Sequence, residues 1–163
     1  MFGIFKEREK APLCGSAMEV AEYLIQNAEG YPMTNLRLGK SLFFVQGLCL
    51  AKTGRRCFPD VVEAWTRGPA VYSVYRETKR YGGNPLPVLN PYAKYAFAGT
   101  ELEKLLNAYL EWCKDLTTDQ LVKISMSEKS PWRKAERFYG IPPKDIGVFV
   151  DEMICRGGAK ELC

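Results

Sequence analysis

Groups able to act as acid, base, nucleophile or metal ligand are sparse in this chain and poorly spaced for the work. Histidine is absent, which removes the side chain most used for proton transfer near neutral pH, together with every Ser-His or Cys-His nucleophile arrangement. Carboxylates pair at Glu101/Glu103 and at Asp151/Glu152, where helix starts and solvated faces account for them without chemistry. Six cysteines, at Cys14, Cys49, Cys57, Cys113, Cys155 and Cys163, show no Cys-x-x-Cys spacing. They read as small core hydrophobes; a disulfide framework suits small exported chains, and a zinc site brings paired ligands. No glycine-rich phosphate loop occurs, and Gly157-Gly158 reads as a helix stop. The expectation is a protein with no catalytic, metal or cofactor site.

Three polar residues stand out because they lie within or beside apolar runs: Lys40, Gln46 and Glu63. If buried, each must be paired, and a small polar network tying a strand to a central helix would satisfy them. The alternative is a shallow pocket in which Glu63 and Gln46 meet a partner. Trp65 reads as core more readily than as a binding anchor. Gly47 reads as a close helix contact, and Gly68-Pro69 as the corner between strand and helix.

The elements that must hold these residues follow from pattern. A length of 163 residues and a hydrophobic fraction of 47% suit one core. Ser16-Ala17-Met18-Glu19 has capping-box form and opens an amphipathic helix that Gly30 can end. Thr34 or Asn35 caps the next, which is apolar nearly all round (Leu38, Leu42, Phe43, Phe44, Val45, Leu48, Cys49) and is therefore the central one. Val61 to Thr66 reads as a strand, and Pro69 to about Tyr81 as a helix with Val71, Val74, Tyr75 and Thr78 inside and Tyr72, Arg76, Lys79 and Arg80 outside. Gly82 to Gly99 is a proline- and aromatic-rich loop with room for a second short strand. Further helices start at Thr100, Thr117, Ser130-Pro131-Trp132 and Pro142-Pro143.

These elements give a mainly α fold: six or seven helices around a central buried helix, with a small β-hairpin. Residues 1–15 read as an N-terminal extension, 16–156 as the domain and 157–163 as a tail. Met1 to Lys10 offers no apolar stretch for export and no later stretch suits a bilayer, so a cytoplasmic location is expected. The formal charge of +4 is too mild and too mixed to name a nucleic-acid partner. A nucleic-acid reading survives only as a helix-turn-helix-like pair from Thr117 to Met126 and Ser130 to Phe138, with Lys129, Arg133, Lys134 and Arg137 towards phosphate. The stripe of Tyr72, Arg76, Lys79 and Arg80 combines an aromatic residue with basic ones, as protein interfaces do, and is a candidate grip on an acidic patch of a partner.

Leu38 to Gly47, L-G-K-S-L-F-F-V-Q-G, resembles the L-x-K-x-L-[FY]-[FY]-x-Q-G block of the Panacea domain, the family of SocA-like antitoxins and phage-associated GepA-like proteins. Glu63-Ala64-Trp65, then Gly68-Pro69 and Val74-Tyr75-Arg76, are similar to its E-A-W-x-x-G-P block. Ile124-Ser125-Met126 with Pro131-Trp132 is similar to its L-T-H...P-W region. The likeness runs from about Val20 to Met153. One departure is Met126, where many members carry histidine. The resemblance implies a compact, mostly helical domain that is not an enzyme and that binds and blocks a cognate toxin. It also implies two modes, an adaptor that hands the toxin to a protease and neutralisation by direct contact; an alternative reading of the same binding module is a phage-borne inhibitor of a host defence protein. The motif residues Lys40, Gln46, Gly47, Glu63, Trp65, Gly68, Pro69, Tyr75, Pro131 and Trp132 are then structural.

Overall fold

The structure, a computed structural model, describes residues 9–157. The N-terminal stretch read for export, the second glycine of Gly157-Gly158, Cys163 and most of the expected tail lie outside the described residues. The first helix, α1 (Ala17–Asn27), is opened by the Ser16 hydroxyl, which accepts from the Glu19 amide, while the Glu19 carboxylate takes the Gly15 amide. The Asp60 carboxylate takes a further free amide, that of Ala17. Such caps satisfy donors that the first turn of a helix leaves unpaired.

Thr34 caps α2 (Asn35–Thr53), and Gly54 ends it in the left-handed conformation at φ 69°. An apolar surface on every side forces burial on every side. The helix is packed by α1, by α4 (Glu101–Cys113), by α5 (Thr118–Ser125) and most extensively by α6 (Pro143–Val150). Phe43 meets Phe149, and Phe44 meets Tyr109 and Trp112. Each fully buried aromatic of this kind contributes about 2–3 kcal/mol relative to exposure. Thr117 and Gln120 form a complete capping box at the start of α5. The fold is thus six α-helices among the described residues, wrapped about one buried rod, with one antiparallel hairpin.

The hairpin corrects one expectation. Strand β1 (Glu63–Trp65) turns through Thr66-Arg67 into β2 (Gly68–Ala70), with Trp65 opposite Gly68 and Ala64 opposite Pro69. Pro69 is therefore in a strand, and α3 begins later, spanning Tyr72–Thr78 and tightening into a 3₁₀ turn at Lys79–Tyr81. A strand tolerates proline here because Ala64 spends both backbone groups on the opposite side, donating to Tyr139 and accepting from Phe138, so no partner requires an amide from Pro69. The loop from Gly82 to Gly99 contains a 3₁₀ turn at Ala93–Tyr95 and no strand.

A second correction concerns Ser130 to Phe138. The Ser130 hydroxyl donates back to the Ser125 carbonyl and accepts from the Trp132 amide, and the chain continues in turns, not a helix. Trp132 then donates its indole N–H to the Trp65 carbonyl. These tertiary bonds replace helical ones, so α5 has no second helix to form a helix-turn-helix pair. Of the cysteines, Cys49, Cys57, Cys113 and Cys155 are buried and Cys14 is half-buried; Cys14, Cys49, Cys57 and Cys113 are free thiols.

Candidate functional site

The three buried or part-buried polar residues do not form one network. Gln46 lies wholly inside and clamps the segment after α2: its carbonyl accepts from the amides of Cys57 and Phe58 at 2.7 and 3.2 Å, and its amide donates to the Phe58 carbonyl at 3.1 Å. Glu63 is half-buried and accepts from the indole N–H of Trp65 at 2.9 Å. Lys40 is only 3% exposed and donates to the Pro69 carbonyl at 2.9 Å. Gln46 thus closes its own loop, Glu63 orients Trp65, and Lys40 alone reaches between α2 and the hairpin.

Gly68 makes room for that reach. Its φ is 106°, and a Cβ placed there would lie 2.8 Å from Lys40 Cε and 3.2 Å from Ser125 Oγ. Glycine is required both by the backbone conformation and by the lysine beside it. Among the described residues Lys40 forms no ion pair, and the charge that acts on it, Arg67 on the hairpin turn, has the same sign. Desolvation first, and then Arg67, bring the ammonium down to about 8.

That shift has a consequence for stability with a definite sign. Between about pH 8 and the ordinary lysine range the unfolded chain holds a proton that the folded chain has released, so this group's contribution to stability rises with pH there, and its full burial cost applies below about pH 8. The expected result is that the unfolding free energy of wild type, measured against Lys40→Met by urea titration, improves by on the order of 2 kcal/mol between pH 7.5 and 10. A difference that stays flat with pH would refute the burial of a charged lysine.

Lys40 lies at the wall of a cavity of about 490 Å³ lined also by Leu36, Gly39, Trp65, Arg67, Tyr75 and Phe138. Trp65 is half-buried, not core, and packs edge-on against Tyr75 at 5.1 Å and obliquely against Tyr72 at 6.4 Å. Tyr75, expected on the inner side of α3, is 39% exposed, because α3 is short and only Val74 and Thr78 of its residues are buried. Tyr72 (50% exposed) and Phe138 (64% exposed) extend this aromatic surface outwards. Phe138 is also the described non-glycine residue with positive φ, 71°, and its backbone N–H donates a hydrogen bond to the Ala64 carbonyl at 2.8 Å. Strained residues of this kind persist where surrounding structure fixes them, often at functional surfaces. A larger depression over Leu50 and Gly147 has no buried polar side chain on its walls.

The two linked blocks therefore meet in space: Lys40 of the first and Trp65, Gly68 and Tyr75 of the second line one cavity. A family model described as Antitoxin SocA-like, Panacea domain, matches residues 38–133, the stretch that contains them. The chain belongs to that family. Compared with curated proteins and with solved structures, it gives no match. Membership in the Panacea family carries a general role in toxin-antitoxin biology, with a toxin or other target protein as the thing bound and no enzymatic activity implied. No described helix is long and apolar enough to cross a membrane.

The remaining Panacea motif residues sit in the frame. A Cβ on Gly47 would lie 2.3 Å from Val150 Cγ2 and 2.9 Å from the Ile146 carbonyl, so this glycine lets α2 and α6 touch. Pro131 and Trp132 are buried, with the Arg137 guanidinium 3.7 Å over the Trp132 ring. Met126 is half-buried at the end of α5 and offers its carbonyl to Arg133. Of the proposed grip, Tyr72, Arg76, Lys79 and Arg80 are all exposed; Arg76 pairs with Glu77 and Arg80 lies over Tyr81.

Two contributors were not singled out in the sequence. Arg67 lies at a hairpin tip whose position depended on finding β2. Phe138 fell in a segment read as helix, where an exposed aromatic carries no message.

Proposed function

We propose that this chain neutralises a cognate toxin by direct, non-catalytic contact through the face formed by the Lys40 cavity and the adjoining outer side of α3. The observation that carries the reading is the convergence of Lys40, Trp65 and Tyr75 on one cavity whose rim leaves Tyr75 and Phe138 exposed, with Tyr72 exposed beyond it. Tryptophan, tyrosine and arginine dominate the residues on which protein association depends, and exposed aromatics grouped around a concavity have no role in this chain's own core. Arg76, Lys79 and Arg80 extend the face with positive charge, which steers association and sets its salt dependence.

The test is co-expression with a toxic open reading frame adjacent to this gene, followed by co-purification of the two products. Growth rescue and a stable complex support the reading; a toxin that remains lethal and unbound refutes it. Charge reversal at Arg76, Lys79 and Arg80 together should weaken the complex by about tenfold or more, chiefly through slower association. Because these side chains are exposed, the thermal midpoint should be almost unchanged. Equal affinity at low and moderate salt would remove the stripe from the interface.

A further inference from the structure

Among the described residues, none supplies a counter-charge to the Lys40 ammonium at the cavity wall. An ammonium has three donors, and Lys40 uses one on the Pro69 carbonyl. A neutral donor such as glutamine would tie the hairpin to α2 without desolvating a charge, so the tether alone does not account for lysine. Arg67 lines the same cavity and adds a second positive group that makes the charge of Lys40 harder to keep. Around them the walls combine Leu36, Ala70 and the rings of Trp65, Tyr75 and Phe138 with the uncharged polar residues Thr34, Asn35 and Thr66. In such surroundings a carboxylate would be held more strongly than in water.

Resting on the direct-contact reading above, we propose that the cavity receives an aspartate or glutamate side chain of the partner protein, whose carboxylate accepts from Lys40 and Arg67 while the aromatic rim covers the backbone around it. A protein occupant fits the structure better than a free small acid because the aromatic surface continues beyond the cavity to Tyr72, which does not line it. The fit is one of charge complementarity: two cations and no acid among the cavity's lining residues.

The probe is a library of short random peptides displayed between fixed flanks, so that only side chains can supply a carboxylate. Peptides selected on wild type should share an aspartate or glutamate, and changing it to asparagine or glutamine should cost about tenfold or more in affinity. Lys40→Met should lose the same about tenfold, with Arg67→Gln on the exposed turn losing about threefold as a second variant that does not disturb the interior. Circular dichroism melts establish that both variants are folded. No shared acid among the selected peptides, no peptide recovered, or both folded variants binding within about twofold of wild type would overturn the proposal. Failure of the parent reading looks different: a toxin that wild type itself neither binds nor neutralises, whatever peptides it selects.

Discussion

Replacing Gly47 with alanine should lower the unfolding free energy by about 3 kcal/mol, enough to leave a marginal domain partly unfolded. Helix propensity alone gives the opposite sign, since alanine in place of an interior helical glycine stabilises by about 1 kcal/mol. Packing decides the matter. The new Cβ would fall 2.3 Å from Val150 Cγ2, 2.9 Å from Val150 Cβ and 2.9 Å from the Ile146 carbonyl oxygen. A methyl can swing away from the first contact, but the carbonyl belongs to the backbone of α6 and moves only if the helix moves. Urea titration of Gly47→Ala, of Val150→Ala and of the double variant separates these effects. The double variant should recover part of the loss by vacating the Val150 position and should still fall short because the backbone contact remains. A Gly47→Ala protein as stable as wild type would show that α2 and α6 do not approach as closely as described.

The second large effect is expected at Arg37, a guanidinium side chain that is only 2% exposed. Its guanidinium donates to the Cys113 carbonyl at 2.7 Å and to the Leu116 carbonyl at 2.8 Å, and lies 4.1 Å over the Tyr31 ring. One side chain of α2 therefore closes the carbonyl end of α4 and the turn into α5, where orphan acceptors and the negative end of the helix dipole both favour a cation. Methionine would fill much of the same volume while taking the guanidinium donor from the Leu116 carbonyl and leaving the Cys113 carbonyl only the Leu116 amide at 3.1 Å. The expected cost is about 3 kcal/mol, with Arg37→Lys recovering only part of it because an ammonium cannot present the two-pronged geometry. Native-state hydrogen exchange adds a local reading: amides of α4's last turn and of α5 should lose protection more than those of α1. Uniform loss across the chain would mean that Arg37 acts through general packing alone.

Much of the frame was legible because its causes are local. The helix starts at Ser16, Thr100 and Thr117 each put a hydroxyl three residues before an amide that needs an acceptor, and each forms that bond. The apolar belt of α2 could have only one place, the middle. Errors arose where distant residues outbid local preference. Pro69 has a residue type suited to a helix start, but pairing of Trp65 with Gly68 made it a strand. Ser130-Pro131-Trp132 has the form of a helix cap, but the bond from Ser130 to Ser125 and that from Trp132 to Trp65 drew the segment into turns. Tyr75 followed the apolar spacing of α3, yet α3 is only seven residues long and buries two of them.

The candidate site was legible as parts and not as a place. Lys40, Trp65, Gly68 and Tyr75 all stood out as motif residues, and the sequence alone determined the central rod, the helical class and the family to which the chain belongs. Only tertiary structure decided that the lysine points across to the hairpin, that glycine 68 clears its path, and that two tyrosines and a phenylalanine remain uncovered around it. The physical reason is that burial patterns and caps depend on neighbours within a few positions, whereas the environment of Lys40 depends on groups about thirty residues away, brought together by a two-residue turn no local signal placed.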